Sequence, residues 1–296
     1  MSVRVFAPAK LNLTLGVGRP REDGMHPLQS VVAFADIGDI VEADKGEGLS
    51  LAITGDFADS LSGSHSDSSG ADRDNLVLRA ARALARAAKV PLNAKLTLQK
   101  HLPVASGLGG GSADAAAALR ALSSLWELQL SDETLQGVAR TLGADVPVCL
   151  GGAPAWMTGA GEAWTPISAP PFAAVLVNPL QELSTAFVYR EFDRLKLGGD
   201  FAASAAPSWM NCSEAIAYFA GAGNALIEAA QSLLPEIGVI IAILRNDARV
   251  DYASMSGSGA TCFGLVSDLE AAEHLAADLR AAHPNWWIAE TELGGA

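Results

Sequence analysis

The chain has few cysteines, few aromatic residues and few charges for its length. Cysteine occurs 3 times in 296 residues, and aromatic and charged residues make up 6% and 18%. Cys149, Cys212 and Cys262 stand in apolar surroundings, and an odd, small number of cysteines argues against a disulfide framework and predicts a reducing cytoplasm. No apolar run approaches the ~20 residues that span a bilayer. The first ten residues lack the apolar core of a secretory signal, so we expect no membrane partner.

Positive charge is also scarce. Lysine and arginine together number 20 against 33 aspartates and glutamates, which gives a net charge of −13. This balance argues against nucleic acid as a main partner, because a nucleic-acid backbone binds positively charged surfaces. An acidic protein that binds a phosphorylated small molecule must rely on local donors and a few cations. The length allows one large or two medium domains.

Glycine and alanine, by contrast, are concentrated in one stretch, residues 102–119, which reads LPVASGLGGGSADAAAAL. Glycines can turn their N–H groups towards one point, because no Cβ obstructs a left-handed turn. A helix that starts directly after them adds unpaired N–H donors and the positive end of its dipole. The pattern predicts an anion site, with phosphate as the usual ligand. The alternative is a flexible turn before a buried helix; linker glycines, however, rarely lead straight into so strong a helix.

Two common phosphate-binding motifs do not fit this stretch. A Walker loop ends in Gly-Lys-Ser/Thr, and the dinucleotide fingerprint needs glycine where Ser112 stands. Because this stretch has no lysine of its own, the cation that accompanies the phosphate and the base must come from elsewhere in the chain. The candidates are Lys10, Lys100 and Asp145. Asp145 stands between glycine and proline in an apolar segment, where it fits either a partly desolvated general base or a turn cap.

Lys10 and Asn12 are two residues apart, so a strand would place them on one face. For Lys10 the alternative is a solvated strand end, the usual position of a lysine.

The residue patterns predict the following elements. Strands are expected at residues 3–6, 11–17, 28–35, 39–43, 49–54, 96–100, 172–177 and 286–290. Helices are expected from 74–75 to before Pro91 and at 112–127, 131–143, 184–195, 224–234, 237–244 and 268–282. Residues 56–72 are expected to form an exposed, mobile loop, 151–171 a boundary, 198–207 a connection, and 254–266 a second glycine loop between strands.

Four segments, in this order, resemble the motifs of the GHMP small-molecule kinases. They are PAKLNLTLGVGRPREDGMHPLQS, LPVASGLGGGSADAAAAL, GADVPVCLGG and MSGSGATCFGL. The resemblance covers nearly the whole chain and implies an α/β (α+β) two-domain fold. Its N-terminal half would be like ribosomal protein S5 domain 2, and its C-terminal half would be ferredoxin-like. The ATP-binding domain would occupy residues 1–165 and the C-terminal domain residues 166–296.

The same resemblance implies phosphorylation, by ATP with Mg²⁺, of a small molecule that carries a cytidine diphosphate group. Asp145 would take the proton of the accepting hydroxyl, and Lys10 would keep Asp145 ionised and orient the hydroxyl. The nucleotide would be bound by Asn75, Lys100, Pro103, Val104, Ala105, Ser106, Gly107, Leu108, Gly109, Gly110, Gly111, Ser112 and Ala113, with the Ser112 hydroxyl near the phosphates or Mg²⁺. The other substrate would be bound by Asn12, His26, Thr185, Tyr189, Gly257 and Gly259. Tyr189 would stack on cytosine and His26 would hydrogen-bond to it. A monomer or a weak homodimer is expected.

The chain departs from the family pattern in two places. Met25 stands where the family has tyrosine on the other face of the cytosine, and residues 224–230 (NALIEAA) lack one acid, although Glu228 remains. Two rival hypotheses stay open: another GHMP enzyme, acting on homoserine or a mevalonate-type substrate, and a catalytically silent nucleotide-binding protein. Loss of Lys10 or Asp145 would have signalled the silent protein, and both residues are present.

Overall fold

The computed structural model describes residues 2–62, 75–202 and 204–294. Its strands are β1 (Val3–Asn12), β2 (Gly16–Val17), β3 (Leu28–Asp44), β4 (Leu49–Thr54), β5 (Ala94–Gln99), β6 (Ala155–Thr158), β7 (Ala163–Pro166), β8 (Phe172–Asn178), β9 (Val250–Met255), β10 (Cys262–Val266) and β11 (Trp287–Gly294). Its helices are α1 (Ala58–Ser62), α2 (Leu76–Ala88), α3 (Gly110–Leu125), α4 (Asp132–Arg140), α5 (Val146–Gly151), α6 (Thr185–Arg194), α7 (Cys212–Ala222), α8 (Ile227–Leu233), α9 (Glu236–Asn246) and α10 (Leu269–Ala282).

The chain forms two compact units that alternate along the sequence. Unit 1 comprises Met1–Ala9, Ile37–Val104 and Gly109–Gly152, and unit 2 comprises Lys10–Asp36, Ala105–Leu108 and Ala153–Ala296. The sequence analysis predicted two domains that follow one another along the chain, with the division between residues 165 and 166. That division stays a prediction.

Unit 1 is a small sheet with helices. Strand β5 lies between β4, which runs parallel to it, and the second half of β3, which runs antiparallel to it. Helices α2, α3, α4 and α5 pack on one another. The Asn75 side chain caps α2 by accepting the N–H of Val77 at 2.9 Å. Apolar residues at helical spacing, among them Val77, Leu84 and Ala85, then bury one face of this helix.

Unit 2 contains an antiparallel sheet in the order β3, β11, β8, β10 and β9, formed with the first half of β3. Every residue of β8 is buried, as expected of a central strand. Helix α10 packs on β8 and β11, and α9 packs on β9 and β10. The core of this unit also contains Leu15 and Val17 from the N-terminal region.

Two predicted breaks between strands lie inside continuous strands, β1 and β3, whereas the predicted strand 11–17 is interrupted after Asn12 and resumes as β2. The segment with Pro8 and Lys10 was expected to separate two strands, but it lies inside β1. The backbones of β1 and β3 approach closely here, because a Cβ on Gly38 would lie 2.2 Å from the carbonyl oxygen of Ala7. Glycine permits this approach, so β3 continues through the point where the sequence suggested a break.

Other corrections concern segments rich in small residues. Residues 58–62 of the predicted loop form α1, and residues 63–72 of that loop lie outside the described part of the chain. The predicted boundary at 151–171 contains the hairpin β6–β7. Helix α7 was not predicted, and α3 begins at Gly110, two residues earlier than expected.

The other predicted helices and strands are present with ends shifted by a few residues. Within the described ranges, no helix combines the length and the apolar character that crossing a bilayer requires.

Candidate functional site

Lys10 and Asn12 lie on one face of β1, as the alternation of side chains predicts. Lys10 Nζ donates a hydrogen bond to Asn12 Oδ1 at 2.9 Å, and Asn12 Nδ2 donates to Ser30 Oγ at 2.7 Å. Lys10 is only 4% exposed, so it is not a solvated strand end. A buried ammonium requires polar partners. Asn12 is one of them, and the residue is therefore held in a fixed orientation.

The middle of the glycine-rich loop, Ala105–Leu108, belongs to unit 2 and is fixed through its carbonyl groups. Leu108 O accepts the N–H of Lys10 at 2.8 Å. Gly107 O accepts the Ser256 hydroxyl at 2.8 Å, and Ser256 Oγ accepts the N–H of Asn12 at 3.1 Å. These bonds bring together Lys10, Asn12 and the first glycine loop, which the sequence placed at separate positions.

Gly107 lies directly against the second glycine loop. It has a φ of 80°, and a Cβ here would lie 2.5 Å from Ser256 O and 2.7 Å from Gly259 O. Ser106 O accepts the N–H of Thr261 at 2.9 Å. The two glycine loops therefore share a backbone interface that only glycine permits at residue 107.

The second glycine loop lies between two strands, β9 and β10, as predicted, but it is shorter than the expected 254–266, because residues 254–255 end β9 and residues 262–266 form β10. Gly257 and Gly259 have φ values of 59° and 89°. Asn224 Nδ2 donates to Met255 O at 2.7 Å and to Gly257 O at 2.9 Å. The sequence indicated a helix over residues 224–234 and a missing acid there, whereas the structure shows that Asn224 supports this loop.

Thr185 also reaches the second glycine loop. Its Oγ1 lies 2.8 Å from Ser258 Oγ, which places α6 beside the loop. The predicted substrate residues Thr185, Gly257 and Gly259 are therefore neighbours in unit 2.

His26 and Tyr189 are also close together in unit 2. Their ring centroids are 4.9 Å apart. His26 Nε2 lies 2.9 Å from Asp193 Oδ1, one helical turn after Tyr189 on α6. Sequence reasoning did not identify Asp193, although its spacing of four residues from Tyr189 places both on one helix face. Met25, beside His26, is 49% exposed.

In unit 1, the end of the glycine stretch opens α3. Gly109, with a φ of 63°, precedes the helix, and its carbonyl accepts the N–H groups of Ser112 and Ala113 at 3.0 and 2.9 Å. Gly110 and Gly111 are in the first turn, whose N–H groups have no acceptor inside a helix. Leu76, the residue after Asn75, packs here, since a Cβ on Gly111 would be 3.4 Å from Leu76 Cδ1. This geometry fits the predicted anion site.

Lys100 is buried in unit 1 between two aspartates that sequence reasoning missed. Lys100 Nζ lies 2.5 Å from Asp39 Oδ2 and 3.0 Å from Asp114 Oδ2. Burial raises the pKa of Asp114 to about 7, with Lys100 opposing the rise and Asp39 adding to it. Burial alone would lower the pKa of Lys100, but the two carboxylates outweigh burial and raise it. Asp39 stands in no recognisable local pattern. Asp114 lies inside the glycine-rich stretch, but its pairing with Lys100 depends on the fold and is not visible in that motif.

Asp145 directly precedes the short helix α5 in unit 1 and is half-buried. Its carbonyl accepts the N–H of Cys149 at 3.1 Å, but its side chain makes no capping hydrogen bond to the helix. Asp145 therefore caps the start of α5 through its backbone carbonyl, in agreement with the turn-cap alternative, and the role of general base stays a prediction.

Comparison with known proteins identifies the class. Residues 75–153 match the GHMP kinases N terminal domain, and residues 202–285 match the GHMP kinases C terminal family. The chain belongs to the GHMP kinase family, which uses ATP, and its fold is the two-domain GHMP kinase fold. This confirms the resemblance and the mixed α/β fold class. The detailed likeness of each half to ribosomal protein S5 domain 2 and to ferredoxin stays a prediction.

Within the family, one group of relatives is much more similar than the others. A relative from Parvibaculum lavamentivorans named 4-diphosphocytidyl-2-C-methyl-D-erythritol kinase is 47% identical, over 98% of this chain and 97% of the relative. A crystal structure of 4-(cytidine 5'-diphospho)-2C-methyl-D-erythritol kinase is 33% identical with a TM-score of 0.77, covering 99% of this chain and 100% of that one. Homoserine kinase from Cytophaga hutchinsonii has a TM-score of 0.65, covering 99% and 95% of the two chains, but at 18% identity it shows the fold alone.

Proposed function

We propose that this protein transfers the γ-phosphoryl group of ATP to the C2 hydroxyl of 4-diphosphocytidyl-2-C-methyl-D-erythritol. This reaction is a step of the non-mevalonate route to isoprenoid precursors. The observation that carries the proposal is 47% identity, over 98% of this chain, to a relative named for this activity. We place the protein in the cytoplasm, as a monomer or weak homodimer without a nucleic-acid partner.

Asp145 acts as the general base of the transfer. Its carboxylate takes the proton of the C2 hydroxyl while the hydroxyl oxygen bonds to the γ-phosphorus. The bond from that phosphorus to the oxygen bridging the β- and γ-phosphates breaks, and ADP leaves. The half-buried position of this carboxylate suits a general base. Lys10, held by Asn12, supplies a positive charge that orients the hydroxyl.

The glycine-rich stretch binds the triphosphate. The N–H groups in the first turn of α3 and the helix dipole favour an anion, and Asn75 and Lys100 lie on the same unit as this helix end. Phosphoryl transfer depends mainly on positioning and charge stabilisation. The Ser112 hydroxyl, in the first turn of α3, is a hard oxygen donor of the kind that Mg²⁺ accepts beside phosphates. Bound Mg²⁺ would neutralise charge on the β- and γ-phosphates.

His26 and Tyr189 recognise the cytosine. When a neutral His26 donates its Nε2–H to Asp193, the other ring nitrogen, Nδ1, can accept a hydrogen bond. Cytosine offers an amino donor on its ring, whereas uracil offers an oxygen at that position, so this tautomer favours cytosine. Tyr189 provides a ring for stacking, and the exposed thioether of Met25 can also pack on an aromatic ring. Asn12, Thr185, Gly257 and Gly259 complete the substrate side.

A substrate panel tests the proposed function. Purified protein with ATP and Mg²⁺ is expected to phosphorylate the cytidyl substrate, and not homoserine or mevalonate, as followed by ADP release and by mass spectrometry of the product. Equal activity on all three substrates would indicate a different GHMP enzyme. No activity on the cytidyl substrate would favour the silent nucleotide-binding protein.

A further inference from the structure

Asp39, Lys100 and Asp114 form a buried cluster in unit 1 that joins three elements. Asp39 lies on β3, Lys100 directly follows β5, and Asp114 lies in the second turn of α3. The side chains of Asp39, Lys100 and Asp114 are 0%, 4% and 4% exposed. Charged hydrogen bonds in such a buried setting are strong and directional. The cluster therefore fixes the relative positions of the three elements.

Asp39 holds the chain that leads into the glycine-rich stretch. Its Oδ1 accepts the backbone N–H of His101 at 2.6 Å and that of Leu102 at 2.9 Å. Its Oδ2 accepts Lys100 Nζ at 2.5 Å. One carboxylate thus binds three consecutive residues, 100–102, at the point where β5 gives way to the loop.

The same cluster holds the chain where it leaves the loop. Lys100 Nζ donates to Asp114 Oδ2 at 3.0 Å. Gly110, the first residue of α3, lies against the cluster, because a Cβ there would be 3.3 Å from Lys100 Nζ and 3.5 Å from Asp39 Oδ2. Both ends of the loop that spans residues 103–109 are therefore anchored on Asp39, one directly and the other through Lys100.

We propose that Asp39 is a positioning residue for nucleotide binding, which acts by fixing the two ends of the glycine-rich loop relative to each other. This proposal rests on the proposed function, since it assumes that the loop binds ATP. The direction of the loop N–H groups depends on where both ends are held. Hydrogen bonds weaken steeply when their distance or angle departs from the preferred geometry, so a small displacement of these groups weakens nucleotide binding.

Asp39→Asn tests the proposal with little change in side-chain shape. The amide keeps an oxygen for the N–H groups of residues 101 and 102, but its NH₂ group is set against the Lys100 ammonium, and neither can accept a hydrogen bond. We expect the Kd for ATP, measured by calorimetry with no second substrate, to rise at least tenfold. The KM for the cytidyl substrate is expected to stay within twofold. The matched control is Asp56→Asn, which removes an exposed carboxylate near His101 and should leave both values unchanged.

Asp114→Asn keeps the proposal testable if Asp39→Asn does not fold. It leaves the Asp39–Lys100 pair intact, so we expect a smaller rise in the Kd for ATP, in the same direction. The double variant should show less than the sum of the two effects, because both act through Lys100. A folded Asp39→Asn protein with unchanged Kd for ATP, or with equal losses for both substrates, would overturn the proposal.

The ATP measurement also separates this proposal from the proposed function. Wild-type protein that binds ATP but does not phosphorylate the cytidyl substrate would overturn only the proposed function. Wild-type protein that does not bind ATP would overturn both.

Discussion

At the scale of a single residue, a substitution of Asp145 should affect the chemical step and not the binding of ATP. We expect Asp145→Asn to bind ATP with little change, because the nucleotide contacts proposed above do not involve this side chain. Its kcat should fall by roughly 10²–10⁴-fold, the usual contribution of a general base. Calorimetry with ATP and a coupled ADP assay measure the two quantities. The control is Asp132→Asn, which removes an exposed acid in the first turn of α4. If Asp145→Asn kept its turnover, Asp145 would not be the base.

Replacing Gly107 and Gly137 by alanine should change the free energy of unfolding in opposite directions. A Cβ on Gly107 would lie 2.5 Å from Ser256 O at a φ of 80°, so Gly107→Ala should lower the free energy of unfolding by roughly 2–4 kcal/mol. A Cβ on Gly137 in α4 would meet nothing within 4 Å, so Gly137→Ala should stabilise by about 0.5–1 kcal/mol. Urea denaturation of both variants measures this contrast. A Gly107→Ala protein as stable as wild type would contradict the close contact of the two loops.

At the scale of elements, the cluster at the start of α3 should make stability depend on pH. The pKa of Asp114 in the folded protein is about 7, against about 3.9 in an unfolded chain. Between these values the folded state keeps a proton that the unfolded state has released. The contribution of Asp114 to stability is therefore full below about pH 4 and is lost as the pH rises through 7.

Asp114→Asn removes this titration. The free energy of unfolding of the variant, minus that of wild type, should therefore increase between pH 5 and pH 8. Urea denaturation at several pH values, without nucleotide or Mg²⁺, measures the difference, and Asp132→Asn should show none. A difference that does not change with pH would show that Asp114 ionises normally beside Lys100 and Asp39.

Elements defined by local signals could be predicted from the sequence. Asn75 and Asp268 cap α2 and α10, and each is followed by apolar residues at helical spacing. The glycine-rich stretch likewise contains its own helix start. Lys10 and Asn12 could be placed on one face because side chains alternate strictly between the two faces of a strand.

Elements and contacts that depend on distant partners could not be predicted. The continuity of β3 depends on how Gly38 meets Ala7 of another strand. The cluster of Asp39, Lys100 and Asp114 combines residues 61 and 14 positions apart, and no local pattern identifies such partners. Helix α7 is a different case, because its Asn211 cap and its alanines are local signals that the sequence analysis did not use.

At the scale of the whole molecule, the order of the units along the chain limits how the protein can be divided. Unit 2 depends on its N-terminal segment. Leu15 exchanges backbone hydrogen bonds with Gly223 and Ala225, both at 2.8 Å, and Tyr252 Oη donates to Leu13 O at 3.2 Å. Leu15 and Val17 are also part of the buried core of this unit.

A fragment of residues 166–296 should therefore not fold by itself. Without residues 10–36 it lacks one edge of its sheet and part of its core. We expect no cooperative urea transition and little near-ultraviolet circular dichroism, whereas the full chain shows both. A cooperative transition in the fragment would instead support an independent domain that begins at the predicted division.

The bonds between the two glycine loops have a consequence for synthesis on the ribosome. Gly107 and its hydroxyl donor Ser256 are 149 residues apart, and Thr261, which binds Ser106, comes later still. A nascent chain that already contains the complete first loop lacks these partners until residues 256–261 have been translated. The ability to hold a nucleotide should therefore arise only after the second glycine loop has been translated, so products truncated before that loop would not sequester ATP.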